Sequence, residues 1–299
     1  MTPFADLQIA VIGKEDQMHN WIRKNGPCHL TEQTKNGVTW LSFPSLEESK
    51  MVRHAFSTRM GGVSKGAYST MNFSFTRGDD PEAVRENYRR MAAAIGVDEN
   101  RMVLTFQTHT TNVKLVRAED EGKGIIRERD YRDVDGLITD RPGVTLVSFF
   151  ADCVPLYFLD TKNKAIGLSH SGWRGTVNRM GEKTLTEMTK AFGTDPSDVI
   201  ACIGPSICRD CYEVGPEVAE EFHKAFHTKY HNKLLYKKDN GKYQLDLWEA
   251  NRIILTEAGI PSSQISVTDI CTRCNPEYLF SHRAAAEKRG NLCAFLCLN

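Results

Sequence analysis

The chain has 299 residues, enough for one large hydrophobic core or two ordinary ones, and 40% hydrophobic with 25% charged residues is a globular composition. Lys plus Arg and Asp plus Glu each number 38, so the formal net charge is zero and the basic excess that neutralises nucleic-acid phosphates is absent. The longest apolar run, residues 144–159, is broken by Thr145, Ser148, Asp152 and Pro155 and falls short of the about 20 apolar residues of a membrane span.

Residues 1–37 read as an N-terminal extension, in which Leu7, Ile9, Val11 and Ile12 form one strand and residues 17–24 a short helix. The extension shows neither the basic nor the apolar region of a secretory signal. Nine cysteines then suggest a reducing, cytoplasmic setting, where thiols serve metals, catalysis or packing. Residues 38–299 follow as one domain of alternating strands and helices. Residues 38–43 and 53–56 suit strands. Asp80-Pro81 starts a helix, with Asp near the cap and Pro in the first turn, and Val84, Met91 and Ile95 continue it. Strand-like segments follow at 102–106, 112–116, 136–138, 145–150, 155–159 and 165–169. Gly172-Trp173-Arg174-Gly175 then turns into a long helix over about 176–192. A strand at 199–203 precedes helices at 216–226 and 247–258 and late strands at 265–269 and 292–296. The interleaving predicts an α/β or closely mixed α+β class. Gly61-Gly62 reads as a turn, and neither G-x-x-x-x-G-K-[ST] nor G-x-G-x-x-G occurs.

Three segments place reactive side chains at strand ends: Gln107-Thr108-His109, Ala151-Asp152-Cys153-Val154-Pro155 and Ser169-His170-Ser171-Gly172-Trp173-Arg174-Gly175. Strand-end loops are where α/β proteins assemble sites. Two imidazoles and a thiolate make a zinc set, and three protein ligands leave a fourth position open for water or substrate, the catalytic arrangement. Spacing alone leaves the alternatives open, because a histidine at a strand end also serves as a hydrogen-bonded structural residue and a cysteine as a small buried hydrophobe.

Seven ordered segments carry a resemblance. They are His54-Ala55-Phe56-Ser57-Thr58-Arg59-Met60-Gly61-Gly62-Val63-Ser64, Gln107-Thr108-His109 and Asp133-Val134-Asp135-Gly136-Leu137-Ile138-Thr139. Ala151-Asp152-Cys153-Val154-Pro155, His170-Ser171-Gly172-Trp173-Arg174-Gly175, Ile203-Gly204-Pro205-Ser206-Ile207 and Cys211-Tyr212-Glu213-Val214-Gly215 complete them. Together they resemble the YfiH-type family, historically labelled multicopper polyphenol oxidoreductase or laccase-domain proteins. Members are described as purine nucleoside phosphorylases with adenosine deaminase side activity. The resemblance implies a layered sandwich of mixed β-sheets and helices, in the fold group of the cytotoxic necrotizing factors. It also implies zinc held by His109, Cys153 and His170, with purine nucleosides and phosphate as substrates. Within that reading Arg59 and Arg174, in Gly-containing turns, are candidates to grip phosphate two-pronged. Asn72 is a candidate for a ribose hydroxyl, and Asp152 for moving protons beside Cys153 and His170. Near the end the pattern departs: Ser281-His282-Arg283-Ala284 stands where the family usually has Ser-Tyr-Arg-Arg.

Three rival chemistries are weighed against this. Cys208-Arg209-Asp210-Cys211 and Cys271-Thr272-Arg273-Cys274 form two C-x-x-C pairs, as in zinc ribbons, although their separation is long for one. A hydrolase or amidase without metal, acting on a peptidoglycan precursor or another amide, would use Cys153 as nucleophile and His170 or His109 as base. A multicopper oxidase needs many imidazoles, and nine histidines without an H-x-H pair argue against it.

Overall fold

A computed structural model of the chain describes residues 19–24 and 29–299. Two six-stranded sheets form its centre. The first contains β1 (Thr31–Lys35), β2 (Val38–Ser42), β3 (Val52–Ser57), β4 (Met102–Leu104), β7 (Thr145–Phe150) and β15 (Leu292–Leu298), in the order β1-β2-β3-β15-β7-β4. The second contains β5 (Val113–Leu115), β6 (Gly136–Thr139), β8 (Val154–Asp160), β9 (Ala165–Ser171), β10 (Val199–Ile203) and β14 (Ile265–Val267), in the order β14-β10-β8-β9-β6-β5. Both sheets are mixed: β4 runs parallel to β7, β5 to β6 and β10 to β14, and the other pairs are antiparallel. A small third sheet joins β11 (Glu213–Val214), β12 (Leu235–Lys237) and β13 (Tyr243–Leu245).

The period-two side-chain alternation of strands explains the layering. On β15, Ala294 and Leu296 face the second sheet while Cys293 and Phe295 face the helix Pro81–Ile95. On β8, Tyr157 and Leu159 enter the inter-sheet core while Leu156 and Phe158 meet the helices Met180–Phe192 and Leu247–Glu257. Every residue of β8, β9 and β15 is buried, as strands covered on both faces require. The result is a helix–sheet–sheet–helix sandwich, the mixed layered class expected from the sequence. Among the described residues no helix is long and apolar enough to cross a membrane.

Several elements match their sequence signals. Asp80 caps its helix by accepting from the Glu82 N–H, and Gly96 ends it in left-handed backbone at φ 76°. Others differ. The strand expected over residues 7–12 lies outside the described residues. The helix expected over 17–24 is not formed by residues 19–24, where Arg23 instead bridges Ile270 and its guanidinium reaches buried Asp269 at 2.6 Å. Residues counted with the extension form β1, the edge of the first sheet, paired in register with β2. The single helix expected over 176–192 is two, Trp173–Val177 and Met180–Phe192. Arg179 breaks it at φ 60°, its guanidinium held by Glu182 and Glu257.

Candidate active site

Three connections converge at one end of the sandwich. The chain leaves β4 of the first sheet through Gln107 and Thr108 to His109. It leaves β7, crosses to the second sheet through Ala151-Asp152-Cys153, and enters β8. β9 runs two residues beyond its expected end, so His170 sits within the strand, opposite Pro155. The crossover between sheets therefore delivers Cys153 between the two histidines. One ligand atom from each of His109, Cys153 and His170 lies within 4.8 Å of the others. The Cys153 Sγ to His109 Nε2 distance is 3.9 Å, and the imidazole centroids stand 4.9 Å apart, edge to face.

Backbone geometry supports the convergence. His109 and Asp152 adopt left-handed backbone, φ 66° and 89°, which non-glycine residues enter only when the surroundings fix them. At Gly172 the close approach is steric: an added Cβ would lie 3.0 Å from Cys153 Sγ and 3.1 Å from a His109 ring carbon.

Asp135 holds this arrangement together, and the sequence reading did not single it out as a site residue. Its carboxylate is fully buried. Oδ1 accepts from His170 Nδ1 at 2.8 Å and from the His109 N–H at 3.1 Å. Oδ2 accepts the N–H groups of Thr108 and Thr110 and the Thr110 hydroxyl. Burial opposes the charge of Asp135, but the His170 hydrogen bond and charge and the N–H donors outweigh it and hold the carboxyl below its usual range. Fixing Nδ1 as the protonated nitrogen of His170 leaves Nε2 as the nitrogen that could hold a metal.

The electrostatics pair Cys153 with His170. Burial pushes the Cys153 thiol up, but the His170 charge and hydrogen bonds from both histidines prevail and bring it down to about 6. Burial likewise lowers His170, and Cys153 with Asp135 prevails to raise it to about 9.

The triad opens onto a cleft of about 350 Å³. Phe75, Phe106 and Phe149 supply its apolar walls, and Arg77, Arg129 and Arg289 its cations. Arg289 is 6% exposed and its Nε has no hydrogen-bond partner in the protein. Burial, then repulsion by Arg77, pushes Arg289 down to about 10, so it remains charged at neutral pH. Arg77 meets Glu287 at 2.6 Å, and Arg129 lies over the Phe106 ring at 4.6 Å.

The remaining sequence candidates fall elsewhere or are engaged. Arg59 does not line the cleft: its Nε donates to the Ser69 carbonyl, its Nη1 to that of Pro276, and its plane covers Phe280 at 4.5 Å. Arg174 is exposed over the Trp173 ring at 4.3 Å and also stands outside the cleft lining. Asn72 is wholly buried and its amide is fully used, accepting from Ser74 and Asn291 N–H groups and donating to the Ser74 carbonyl and Asp79. It therefore braces the cleft wall at Ser74 and Asn291 rather than facing the cavity. Asp152 adjoins Cys153, but its oxygens accept from the Thr272 hydroxyl and the Arg283 N–H, each at 2.6 Å. Exposed His282, at the position of the family tyrosine, begins the short helix whose Arg283 N–H makes that bond.

Comparison with known proteins gives the family. Residues 53–299 match the family model described as multi-copper polyphenol oxidoreductase laccase. A protein of Bacteroides thetaiotaomicron named purine nucleoside phosphorylase is 38% identical over 253 residues, which cover 84% of this chain and 93% of that one. A protein from an unknown prokaryotic organism, named adenosine deaminase RL5, is 37% identical over 81% of this chain and 94% of its own. The crystal structure of YfiH, a hypothetical protein of Bacillus licheniformis, superposes with a TM-score of 0.84 at 31% identity, covering 90% of this chain and 99% of that one. With its motifs, its sandwich and its relatives in agreement, the chain belongs to the YfiH-type, multicopper polyphenol oxidoreductase laccase family.

Proposed function

We propose that this protein is a zinc-dependent purine nucleoside phosphorylase that also deaminates adenosine. The observation that carries the reading is a His-Cys-His ligand set opening onto a cleft with aromatic walls and a buried, incompletely bonded arginine. The donor set fits zinc: two imidazoles, one with its tautomer fixed by Asp135, and a thiol already poised as thiolate. When bound there, zinc supplies Lewis acidity at the floor of the cleft. The multicopper label of the family asks for more, since among the described residues His109, Cys153 and His170 form the only such cluster that includes imidazole.

The chain's own groups then divide the work. The volume of the cleft falls in the range of small-molecule sites. Phe75, Phe106 and Phe149 offer flat apolar faces to a purine. Arg289, with Arg77 beside it, takes the phosphate-gripping role that the sequence reading gave to Arg59 and Arg174. A buried guanidinium with an unpaired donor is offset by an anion, and phosphate accepts two-pronged. Gln107 locks the Phe149 wall, accepting its N–H and donating to its carbonyl, both at 2.8 Å. Asp135 keeps His170 and the backbone of His109 oriented.

The test is product analysis of adenosine with the metal-replete protein. With phosphate, adenine and ribose 1-phosphate are expected; without it, inosine forms slowly. Failure to consume adenosine or inosine under either condition rejects the reading.

One observation favours a second chemistry. Cys153, His170 and Asp135 also form an aligned nucleophile–base–orienter series with a lowered thiol pKa. A cysteine hydrolase without metal would keep its activity through chelation and lose it on alkylation of Cys153. Loss on chelation with recovery on adding zinc decides for the metal.

A further inference from the structure

Four cysteines gather far along the chain from the triad ligands. β10 and β14 run parallel and paired, Ile203 beside Val267, and each leads into a C-x-x-C turn. The pairing continues past the strands: Ser206 bridges Cys271, and the Thr272 N–H donates to the Ser206 carbonyl. Adjacent parallel strands thus carry two turns of like spacing to one place. Cys208, Cys211, Cys271 and Cys274 each point a sulfur into it, all within 4.8 Å of one another.

We propose that Cys208, Cys211, Cys271 and Cys274 bind a structural zinc ion, separate from the His109-Cys153-His170 site. The inference does not depend on the nucleoside reading. Zinc–sulfur bonds of about 2.3 Å in a tetrahedron place sulfurs about 3.8 Å apart. The Cys211–Cys274 contact of 3.5 Å and the outer limit of 4.8 Å bracket that spacing. A disulfide would engage two sulfurs, whereas here four converge.

The surroundings suit bound thiolates. The Cys208 N–H donates to Cys271 Sγ at 3.3 Å. Such a donor orients a thiolate ligand and stabilises its charge. Four thiolates around a divalent ion carry two net negative charges. One cation stands ready: Arg273 Nη1 lies 3.7 Å from Cys211 Sγ, while Lys24 reaches the first turn through its pair with Asp210 at 3.2 Å. Cys208 and Cys271 are buried while Cys211 and Cys274 are part-exposed, so all four ligand positions are filled by protein, as in closed structural sites.

The location explains what the ion would hold. Thr272, inside the second turn, donates to Asp152, the residue before Cys153. Asn275, just after the turn, bonds both the N–H and the carbonyl of Ile22. The four-cysteine site therefore pins the loop that braces the cysteine ligand of the triad and clamps the N-terminal segment to the body.

The experiment is elemental analysis of the full chain purified under reducing conditions without added metal. About two zinc ions per chain are expected in the unaltered protein, and about one in Cys153→Ala. Cys211→Ser with Cys274→Ser should also retain about one, at the triad. Cobalt substitution of the Cys153→Ala protein covers the case in which the double variant fails to fold. The expected spectrum shows the tetrahedral ligand field and strong sulfur charge-transfer absorption of a four-thiolate centre. A Cys153→Ala protein that carries no zinc and gives no such cobalt spectrum overturns the proposal.

Discussion

Replacing Asp135 with asparagine tests the centre of the site, because the two carboxylate oxygens serve different clients. Oδ1 accepts from His170 Nδ1 and the His109 N–H; Oδ2 accepts from the Thr108 and Thr110 N–H groups and the Thr110 hydroxyl. An amide keeps one acceptor and turns the other position into a donor. If the nitrogen replaces Oδ2, two part-buried N–H groups lose their acceptor, at up to about 1–3 kcal/mol each. If it replaces Oδ1, one N–H is orphaned, but His170 can answer by moving its proton from Nδ1 to Nε2. The second arrangement costs less folding energy and is the one expected. It also places a proton on the nitrogen that should ligate metal. Asp135→Asn should therefore fold with a loss of about 1–3 kcal/mol and bind zinc about 10- to 100-fold more weakly. Chelator competition at fixed pH measures the affinity, and urea unfolding of the metal-free protein measures the stability. Wild-type zinc affinity in a folded Asp135→Asn protein would refute the assignment of Asp135 as the residue that sets the His170 tautomer.

Further outcomes follow from other contacts. Arg289→Gln should lower phosphorolysis about ten- to a hundred-fold, the equivalent of one charge-assisted contact, and affect deamination less; Arg174→Gln, exposed over Trp173, should alter phosphorolysis little. Steady-state rates with varied phosphate check the order, and the reverse order returns the cradle to Arg174. Gly172→Ala should fold normally, since Gly172 has an ordinary φ of −72°, yet lose zinc affinity by about tenfold or more because the new methyl crowds Cys153 and His109. Equal metal retention in chelator competition would sink that argument. His54 is buried and accepts the Phe43 N–H at 2.7 Å; burial lowers its pKa from 6.5 to about 3, so it folds neutral. The unfolded chain takes up that proton below pH 6.5, so this stability is whole above pH 6.5 and is lost as pH falls toward 3. Between pH 7 and pH 5 the loss is about 2 kcal/mol, and urea unfolding of His54→Gln should show a correspondingly shallower pH dependence.

The legible parts of this molecule are those whose signals are local. Asp80-Pro81 and Gly96 bound a helix through cap chemistry alone, and β-branched, apolar runs gave β7, β8, β9 and β15. The triad was legible as three strand-end motifs, and the resemblance selected which histidines and which cysteine to join. Asp135 was present in a quoted motif, but its partners lie 25–35 residues away along the chain, so only the fold shows what its carboxylate does. Arg289 sits in a short Lys288-Arg289-Gly290 stretch that carries no motif, and its burial just before β15 shows only in the fold. Arg59 shows the converse. Its Gly-containing turn is real, but the guanidinium closes that turn through the Ser69 carbonyl instead of facing the cleft. Short strands such as β11 and β12 carry too few residues for any period to register.

The three ligands of the triad are held to different degrees, and that difference bears on how the site would work. His170 is buried near the end of β9 and pinned through Nδ1. Cys153 is fixed from the chain on either side, by Asp152 bonded to Thr272 and Arg283 and by Val154 opening β8. His109 is the exception: its backbone is anchored by Asp135, but its ring is exposed and its one side-chain hydrogen bond is to Cys153. A rigid pair with one outer ligand is a sound way to build a catalytic metal site. The firmly held pair would set the position of the ion, and the outer histidine could adjust as the open position exchanges what it holds. Such a site should tolerate loss of its ligands unequally. Removing Cys153 or His170 takes away a placed donor and leaves its partner unmatched, whereas His109→Ala removes an exposed ring and leaves the pair intact. Zinc affinity should therefore fall further in Cys153→Ala and His170→Ala than in His109→Ala. Equal losses in all three folded variants, measured by the same chelator competition, would show that the three ligands act as one rigid unit and that the exposure of His109 has no bearing on the metal.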